Sequence, residues 1–120
     1  MLRKMLILAL LLLSLLALFG CGSSAPAAAG PEIQVTMEEW KITPAEIKVP
    51  ANASVTLVVT NKGTQPHDLG LEGTKTATKL LQAGETQKLT FKTPAKGTSS
   101  IICTVAGHKE SGMVAKLVAE

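Results

Sequence analysis

Residues 99–118 of the chain are Ser-Ser-Ile-Ile-Cys-Thr-Val-Ala-Gly-His-Lys-Glu-Ser-Gly-Met-Val-Ala-Lys-Leu-Val. Residues 99–103 include two β-branched isoleucines, and residues 113–118 are apolar except for Lys116. Short apolar runs of this kind, separated by a polar segment that contains glycine, are typical of β-strands. The segment between the two runs is therefore predicted to be a loop that joins two strands.

Similar patterns recur through most of the chain that precedes this segment. Alternating apolar and polar residues, or short apolar runs, predict further strands at residues 33–38, 46–49, 54–60, 67–71 and 86–92. Turn signals that contain Pro, Gly or Asn separate them. Residues 72–84 are ambiguous, with a weak helical period at residues 75–82. Seven or eight short strands with frequent turns predict an all-β fold, a Greek-key β-sandwich.

The N-terminal end has the pattern of a secretory signal peptide. Arg3 and Lys4 precede a Leu-rich apolar run over residues 5–19, which is shorter than the roughly 20 residues that a membrane-spanning helix needs. Residues 18–21, Leu-Phe-Gly-Cys, resemble the lipobox of bacterial lipoproteins. This resemblance implies cleavage before Cys21 and lipidation of its thiol. An uncleaved anchor helix, or cleavage that leaves a free thiol, are the alternatives.

Three parts are predicted along the chain. Residues 1–20 are the signal peptide, residues 21–31 are a flexible tether of small uncharged residues and proline, and residues 32–120 are a single domain.

The net charge of the chain without its signal peptide is expected to be near +1, because removing Arg3 and Lys4 from the 12 basic residues leaves 10 against 9 acidic ones. With neither a basic run nor interleaved aromatic residues, the sequence does not favour binding to nucleic acid.

The predicted loop holds three side chains with metal-binding chemistry. Cys103, His108 and Met113 are each separated by four residues, and a glycine directly precedes both His108 and Met113. His67 is the only other histidine. If Cys21 is lipidated, Cys103 has no cysteine to pair with. Each residue alone has an ordinary structural explanation, as a buried or surface side chain, but the four together favour a metal site.

The chemistry of this set favours copper. Two imidazoles and a thiolate with a weak axial thioether suit a blue copper site for electron transfer. Zinc is bound by cysteine, histidine or carboxylate ligands rather than by thioether sulfur. Calcium and magnesium require oxygen ligands.

Residues 61–69 and 101–113 resemble the corresponding segments of the cupredoxins, the small blue copper proteins, and the resemblance extends over about residues 32–120. It implies a β-sandwich that holds one mononuclear type 1 copper ion. The implied ligands are one histidine from a strand and three residues from the loop before the last strand, namely His67, Cys103, His108 and Met113. His108 is expected to be the more exposed histidine and to offer an exit for the electron.

Two positions differ from the pattern of many cupredoxins. Asp68 stands directly after the first histidine, where many members have asparagine. We expect it to accept a hydrogen bond from the Thr104 hydroxyl or from a backbone amide, and its charge to lower the reduction potential. Ile101 and Ile102 stand where many members have an aromatic residue, so aromatic bracing is expected to be absent there.

The function predicted from these features is one-electron transfer, not enzymatic catalysis. His67 and His108 leave no histidine for a Ser-His-Asp set, and Glu38 and Glu39 are predicted to point to opposite faces of a strand. A copper chaperone or copper-resistance protein that handles Cu(I) is the alternative, and a metal-free cupredoxin-like module is a third hypothesis. The chain is expected to be exported, to be lipid-anchored facing the periplasm or cell exterior, to be monomeric, and to exchange electrons with redox proteins of the cell envelope.

Overall fold

A computed structural model describes residues 30–120, and this part of the chain is built from strands and turns without a helix. The strands are β1 (Glu32–Glu38), β2 (Lys41–Thr43), β3 (Glu46–Val49), β4 (Ser54–Asn61), β5 (Gly70–Leu71), β6 (Thr86–Lys92), β7 (Gly97–Ile102) and β8 (Val114–Ala119). They form two sheets of four strands each. The predicted all-β sandwich is therefore confirmed.

The first sheet has the strand order β2-β1-β4-β6, and the second has the order β3-β8-β7-β5. Each sheet is mixed. β1 runs parallel to β4, and β3 runs parallel to β8, whereas the other pairs are antiparallel. The antiparallel pair β7 and β8 leaves the segment between Ile102 and Val114 as a loop at one end of the second sheet.

The core lies between the two sheets because the strands alternate in burial. In β4, for example, Val55, Leu57 and Val59 are fully buried, and β-branched and aliphatic residues of this kind favour a pleated surface with one face in the core. One hydrophobic cluster combines residues of both sheets. Its buried members are Val35, Met37, Ile42, Ile47, Val49, Val55, Leu57, Val59, Leu69, Leu81, Ile101, Cys103, Met113, Ala115, Leu117 and Ala119.

Two details of the strand prediction were wrong. β2 was not predicted, because three residues before Pro44 are too few to show an alternating pattern. The strand expected at residues 67–71 is regular only at Gly70–Leu71. His67 instead forms an isolated bridge with Leu81, in which each backbone N–H donates to the other residue's carbonyl, at 3.0 and 2.7 Å.

Residues 1–29 fall outside the described part of the chain. The predicted signal peptide, Cys21 and most of the tether at residues 21–31 belong to this segment, so their assignments stay predictions. Within residues 30–120 the structure holds no helix with the length and apolar character to cross a membrane.

Candidate metal centre

Strand pairing brings the two distant parts of the predicted site together. β5 pairs with β7 so that Gly70 lies opposite Ile102 and Leu71 lies opposite Ile101. His67 precedes β5 by three residues and Cys103 directly follows β7, so this register carries both side chains toward the same end of the second sheet. The loop between β7 and β8 then adds His108 and Met113.

The potential metal-binding atoms of three predicted ligands lie within bonding reach of one point. His67 Nδ1 is 3.1 Å from His108 Nδ1, and Cys103 Sγ is 3.5 Å from His108 Nδ1 and 4.0 Å from His67 Nδ1. A point inside this triangle lies about 2.1 Å from all three atoms, close to the bond lengths of imidazole nitrogen and thiolate sulfur to a metal ion. The three residues therefore form a trigonal set of donors.

Met113, the fourth predicted ligand, lies at the end of the same loop. Its side chain is fully buried, and its backbone carbonyl accepts a hydrogen bond from the Cys103 N–H at 3.1 Å. Its own N–H donates to the His108 carbonyl, also at 3.1 Å. Backbone hydrogen bonds between Cys103, His108 and Met113 thus close the loop and limit the movement of these three residues.

Glycine is required at two turns of this loop. Gly107 has a φ of 83° and Gly112 a φ of 111°, in the region that residues with a Cβ atom rarely adopt. These glycines directly precede His108 and Met113. The backbone can therefore turn sharply just before these two predicted ligands.

All four side chains are shielded from water. His67, Cys103 and Met113 are fully buried, and His108 is 7% exposed. Burial raises the pKa of the Cys103 thiol because the thiolate loses its hydration, although the backbone amides of Asp68 and Val105 act in the opposite direction. A cation that bonds to the sulfur would compensate for that loss of hydration, since a coordinating thiol gives up its proton to a metal.

Asp68 contacts the residue that follows Cys103. Its Oδ1 accepts a hydrogen bond from the Thr104 N–H at 2.6 Å, and its Oδ2 accepts a second from the Thr104 hydroxyl. Both contacts were considered in the sequence analysis as alternatives, and the structure contains both. They tie the segment that carries His67 to the loop that carries Cys103.

Glu39 contacts one of the predicted ligands, which the sequence did not indicate. It lies in the turn between β1 and β2, and its Oε1 is 3.3 Å from His67 Nε2. The backbone N–H groups of Gln65 and Thr64 donate to the same oxygen at 2.6 and 2.7 Å. These donors, Gln65 first, lower the pKa of Glu39 to about 2, so the carboxylate is ionised at neutral pH.

Trp40, the next residue in the same turn, contacts the other histidine. Its ring centroid is 4.8 Å from that of His108, with the rings at 76° to each other. This aromatic contact to a predicted ligand comes from outside the loop between β7 and β8. Trp40 itself is 41% exposed, so the His108 ring, which is almost buried, contacts a residue that reaches the solvent.

A family model for the cupredoxin-like domain matches residues 10–119, and the chain belongs to this family. The resemblance described from the sequence is thereby confirmed. Auracyanin-B of Chloroflexus aurantiacus is 53% identical over 36 residues, a stretch that makes up 30% of this chain. The match spans only 15% of the length of that relative.

Solved structures with the same fold include two further auracyanins. Auracyanin A of Chloroflexus aurantiacus, described as a "blue" copper protein, superposes with a TM-score of 0.68 at 27% identity. That comparison covers 76% of this chain and 100% of the other. The auracyanin of Roseiflexus castenholzii superposes with a TM-score of 0.69 at 22% identity, over 77% of this chain and 98% of the other, and it supports the fold.

The donor set of this chain fits copper on its own chemistry. Two imidazoles and one thiolate occupy the corners of the triangle, and the only thioether of the loop is buried with them. This combination suits a type 1 copper site. The candidate ligand atoms of His67, Cys103 and His108 all lie within 4.8 Å of one another.

Proposed function

We propose that the chain is a one-electron carrier that uses a single type 1 copper ion. His67, Cys103 and His108 would hold the metal, with Met113 as a weak axial ligand. The observation that carries this proposal is the triangle formed by Nδ1 of His67, Nδ1 of His108 and Sγ of Cys103. One point lies at metal-bonding distance from all three atoms. A copper ion at that centre would supply one-electron exchange between Cu(II) and Cu(I).

The chain's own residues keep the site rigid and dry. Strands β7 and β8 hold both ends of the ligand loop, and the Asp68–Thr104 hydrogen bonds connect this loop to the segment of His67. The donors therefore need little movement when the charge at the site changes. Low reorganisation of this kind is what fast electron exchange requires, and here it comes from contacts already present in the protein.

The route for the electron leads past His108. His108 is slightly exposed, whereas His67 is fully buried. Trp40 packs edge to face against the His108 ring. Val114 is 40% exposed, and Val105 and Ala106 lie on the same loop. An apolar surface around the histidine would let a partner approach closely and exclude water, which strengthens electronic coupling at contact.

The proposed location is the bacterial cell envelope. The lipobox-like residues 18–21 and the tether of residues 21–31 support export and lipid anchoring at Cys21, facing the periplasm or the cell exterior. A fully extended tether of this length would reach about 35 Å. The partners would then be redox proteins of the same compartment, met by a monomeric domain, and the chain itself would not be an enzyme.

Delivery of Cu(I) to other proteins is less well supported. Transfer by ligand exchange requires that an incoming protein reach the donor atoms, and the described donors are buried. Apart from Met113, Met37 is the only methionine after Cys21, and it lies in the hydrophobic core. The methionine or histidine clusters that would suit sequestration do not occur in this sequence.

The test is an absorption spectrum of the full chain, purified in detergent, after Cu(II) is added. We expect an intense band near roughly 600 nm from the thiolate–copper bond. The band should disappear in Cys103→Ala and persist in Cys21→Ala, which removes the other cysteine of the chain. Absence of the band in the wild-type protein, or its persistence in Cys103→Ala, would contradict the proposal.

A further inference from the structure

The turn between β1 and β2 places a carboxylate behind the buried histidine. We infer that Glu39 is a positioning residue of the metal centre: its carboxylate fixes the His67 ring with Nδ1 toward the metal and favours the oxidised state. This inference rests on the proposed function, which it deepens by assigning a residue that tunes the site. It is carried by the contacts of one oxygen atom, Glu39 Oε1.

The contact with Glu39 determines which nitrogen of the His67 ring carries a proton. Glu39 Oε1 accepts hydrogen bonds from the backbone N–H groups of Thr64 and Gln65, so it is an acceptor, and its contact at 3.3 Å requires that His67 Nε2 carry the proton. In a ring with a single proton, Nδ1 then carries the lone pair, and Nδ1 is the atom that faces Cys103 and His108. The carboxylate therefore selects the tautomer that can bind a metal.

The position of the Glu39 carboxylate is fixed by its surroundings. The N–H groups of Thr64 and Gln65 hold Oε1 from the loop before His67. Gly63 makes room for the carboxylate, because a Cβ atom there would lie 2.6 to 2.8 Å from the atoms of the Glu39 carboxyl group. Glycine at this position is thus explained by the space that the carboxylate occupies.

The loop before His67 has a second support, the side chain of Asn61. Asn61 is fully buried, and its side-chain N–H groups donate to the carbonyls of Gln65 and Leu81 at 2.8 and 2.9 Å. Its Oδ1 accepts the Gly63 N–H at 2.9 Å. Because Asn61 holds the loop from the core side, we expect changes at Glu39 to alter the His67 ring and the site's charge more than the fold.

The charge of the Glu39 carboxylate also bears on the metal centre. A carboxylate hydrogen-bonded to a ligating imidazole makes that imidazole a stronger donor. A stronger donor and a nearby negative charge stabilise the more highly charged metal ion, Cu(II), over Cu(I). Glu39 should therefore lower the reduction potential of the site, and loss of its charge should raise it.

The main experiment compares Glu39→Gln with Glu38→Gln in the copper-loaded full chain. Glu38 is an exposed carboxylate at the end of β1, so both variants change the net charge equally. We expect Glu39→Gln to weaken Cu(II) binding about 10-fold to 100-fold and to raise the midpoint potential. A tenfold loss of Cu(II) affinity relative to Cu(I) corresponds to about 59 mV. Equal potentials in Glu39→Gln and the wild type, or an equal shift in both variants, would overturn the inference.

A second variant separates position from charge. Gly63→Ala retains the carboxylate but displaces it from the space that it now fills. We expect the midpoint potential to rise in Gly63→Ala as well, by less than in Glu39→Gln, while the blue band remains. A potential unchanged from the wild type would show that the location of the carboxylate does not matter, and would overturn the positioning role.

A measurement without copper keeps this inference separate from the proposed function. In the metal-free wild-type chain, the ring nitrogen chemical shifts of His67 should report a protonated Nε2. A neutral ring protonated mainly at Nδ1 would refute the inference whatever the copper result. If the wild type shows no blue band, the proposed function fails, and the His67 tautomer still decides whether Glu39 orients the ring.

Discussion

Asp68 shows how a single residue can connect two parts of a site that are far apart in sequence. Its carboxylate accepts hydrogen bonds from the N–H and the hydroxyl of Thr104. Asp68 follows His67 and Thr104 follows Cys103, so these bonds join the segments that carry two candidate ligands. The same carboxylate opposes ionisation of the Cys103 thiol by charge repulsion, while the Asp68 backbone amide favours it. Asp68 therefore has a mechanical and an electrostatic role.

Replacing Asp68 with asparagine should separate these two roles. Asparagine retains an oxygen that can accept from Thr104 but loses the charge, so Cu(II) should be stabilised less. We expect a higher midpoint potential in Asp68→Asn, with the blue band retained, measured by redox titration of the copper-loaded chain. An unchanged or lower potential would count against the electrostatic role.

At the scale of elements, alternation of apolar and polar residues was sufficient to predict most strands. It succeeded for β1, β4 and β6 because each has seven or eight residues, enough to repeat the pattern. It did not predict β2, which has three residues, and it predicted a longer strand than the two residues of β5. Both strands depend on pairing with their neighbours. Short strands of this kind are determined by tertiary contacts, which a local pattern does not contain.

The same distinction applies to the site. The candidate ligands could be proposed from the sequence because three of them lie in one loop with regular spacing. Glu39 and Trp40 could not, since the turn between β1 and β2 contacts the histidines only after the two sheets pack together. Twenty-eight positions separate Glu39 from His67, and nothing in the local sequence indicates that contact.

The segment between β4 and His67 depends on one buried side chain. Asn61→Ala would remove three hydrogen bonds of the buried side chain, two to the carbonyls of Gln65 and Leu81 and one from the Gly63 N–H. We expect the free energy of unfolding of the metal-free chain to fall by about 3 kcal/mol, measured in urea. The neighbouring exposed residue provides the control: Lys62→Ala should change it by less than about 0.5 kcal/mol. A similar small effect for both variants would contradict this account of the loop.

For the molecule as a whole, the site lies where the two sheets meet. Cys103 follows a strand of the second sheet, while Glu39 and Trp40 come from the first sheet. The donors are buried in the folded chain and scattered in the unfolded one, so a metal ion would bind far more strongly to the native state. Copper binding and folding should therefore be thermodynamically linked.

This linkage predicts a higher unfolding temperature after copper is added. With free metal at 1,000 times the dissociation constant, the native state gains about 4 kcal/mol, as long as the unfolded chain does not bind. Calorimetry of the full chain with and without Cu(II) measures the effect. Cys103→Ala should show little of it, and an equal rise in this variant would mean that copper binds elsewhere.

The edge-to-face contact of Trp40 with His108 has a practical consequence. Trp40 is the only tryptophan of the chain, so intrinsic emission excited at the red edge of protein absorption comes from this one indole. Paramagnetic Cu(II) next to the adjoining ring should quench that fluorescence, and the titration should end at one equivalent of metal. Reduction to diamagnetic Cu(I) should restore part of the Trp40 fluorescence. The emission would then report the oxidation state of the copper without any added dye.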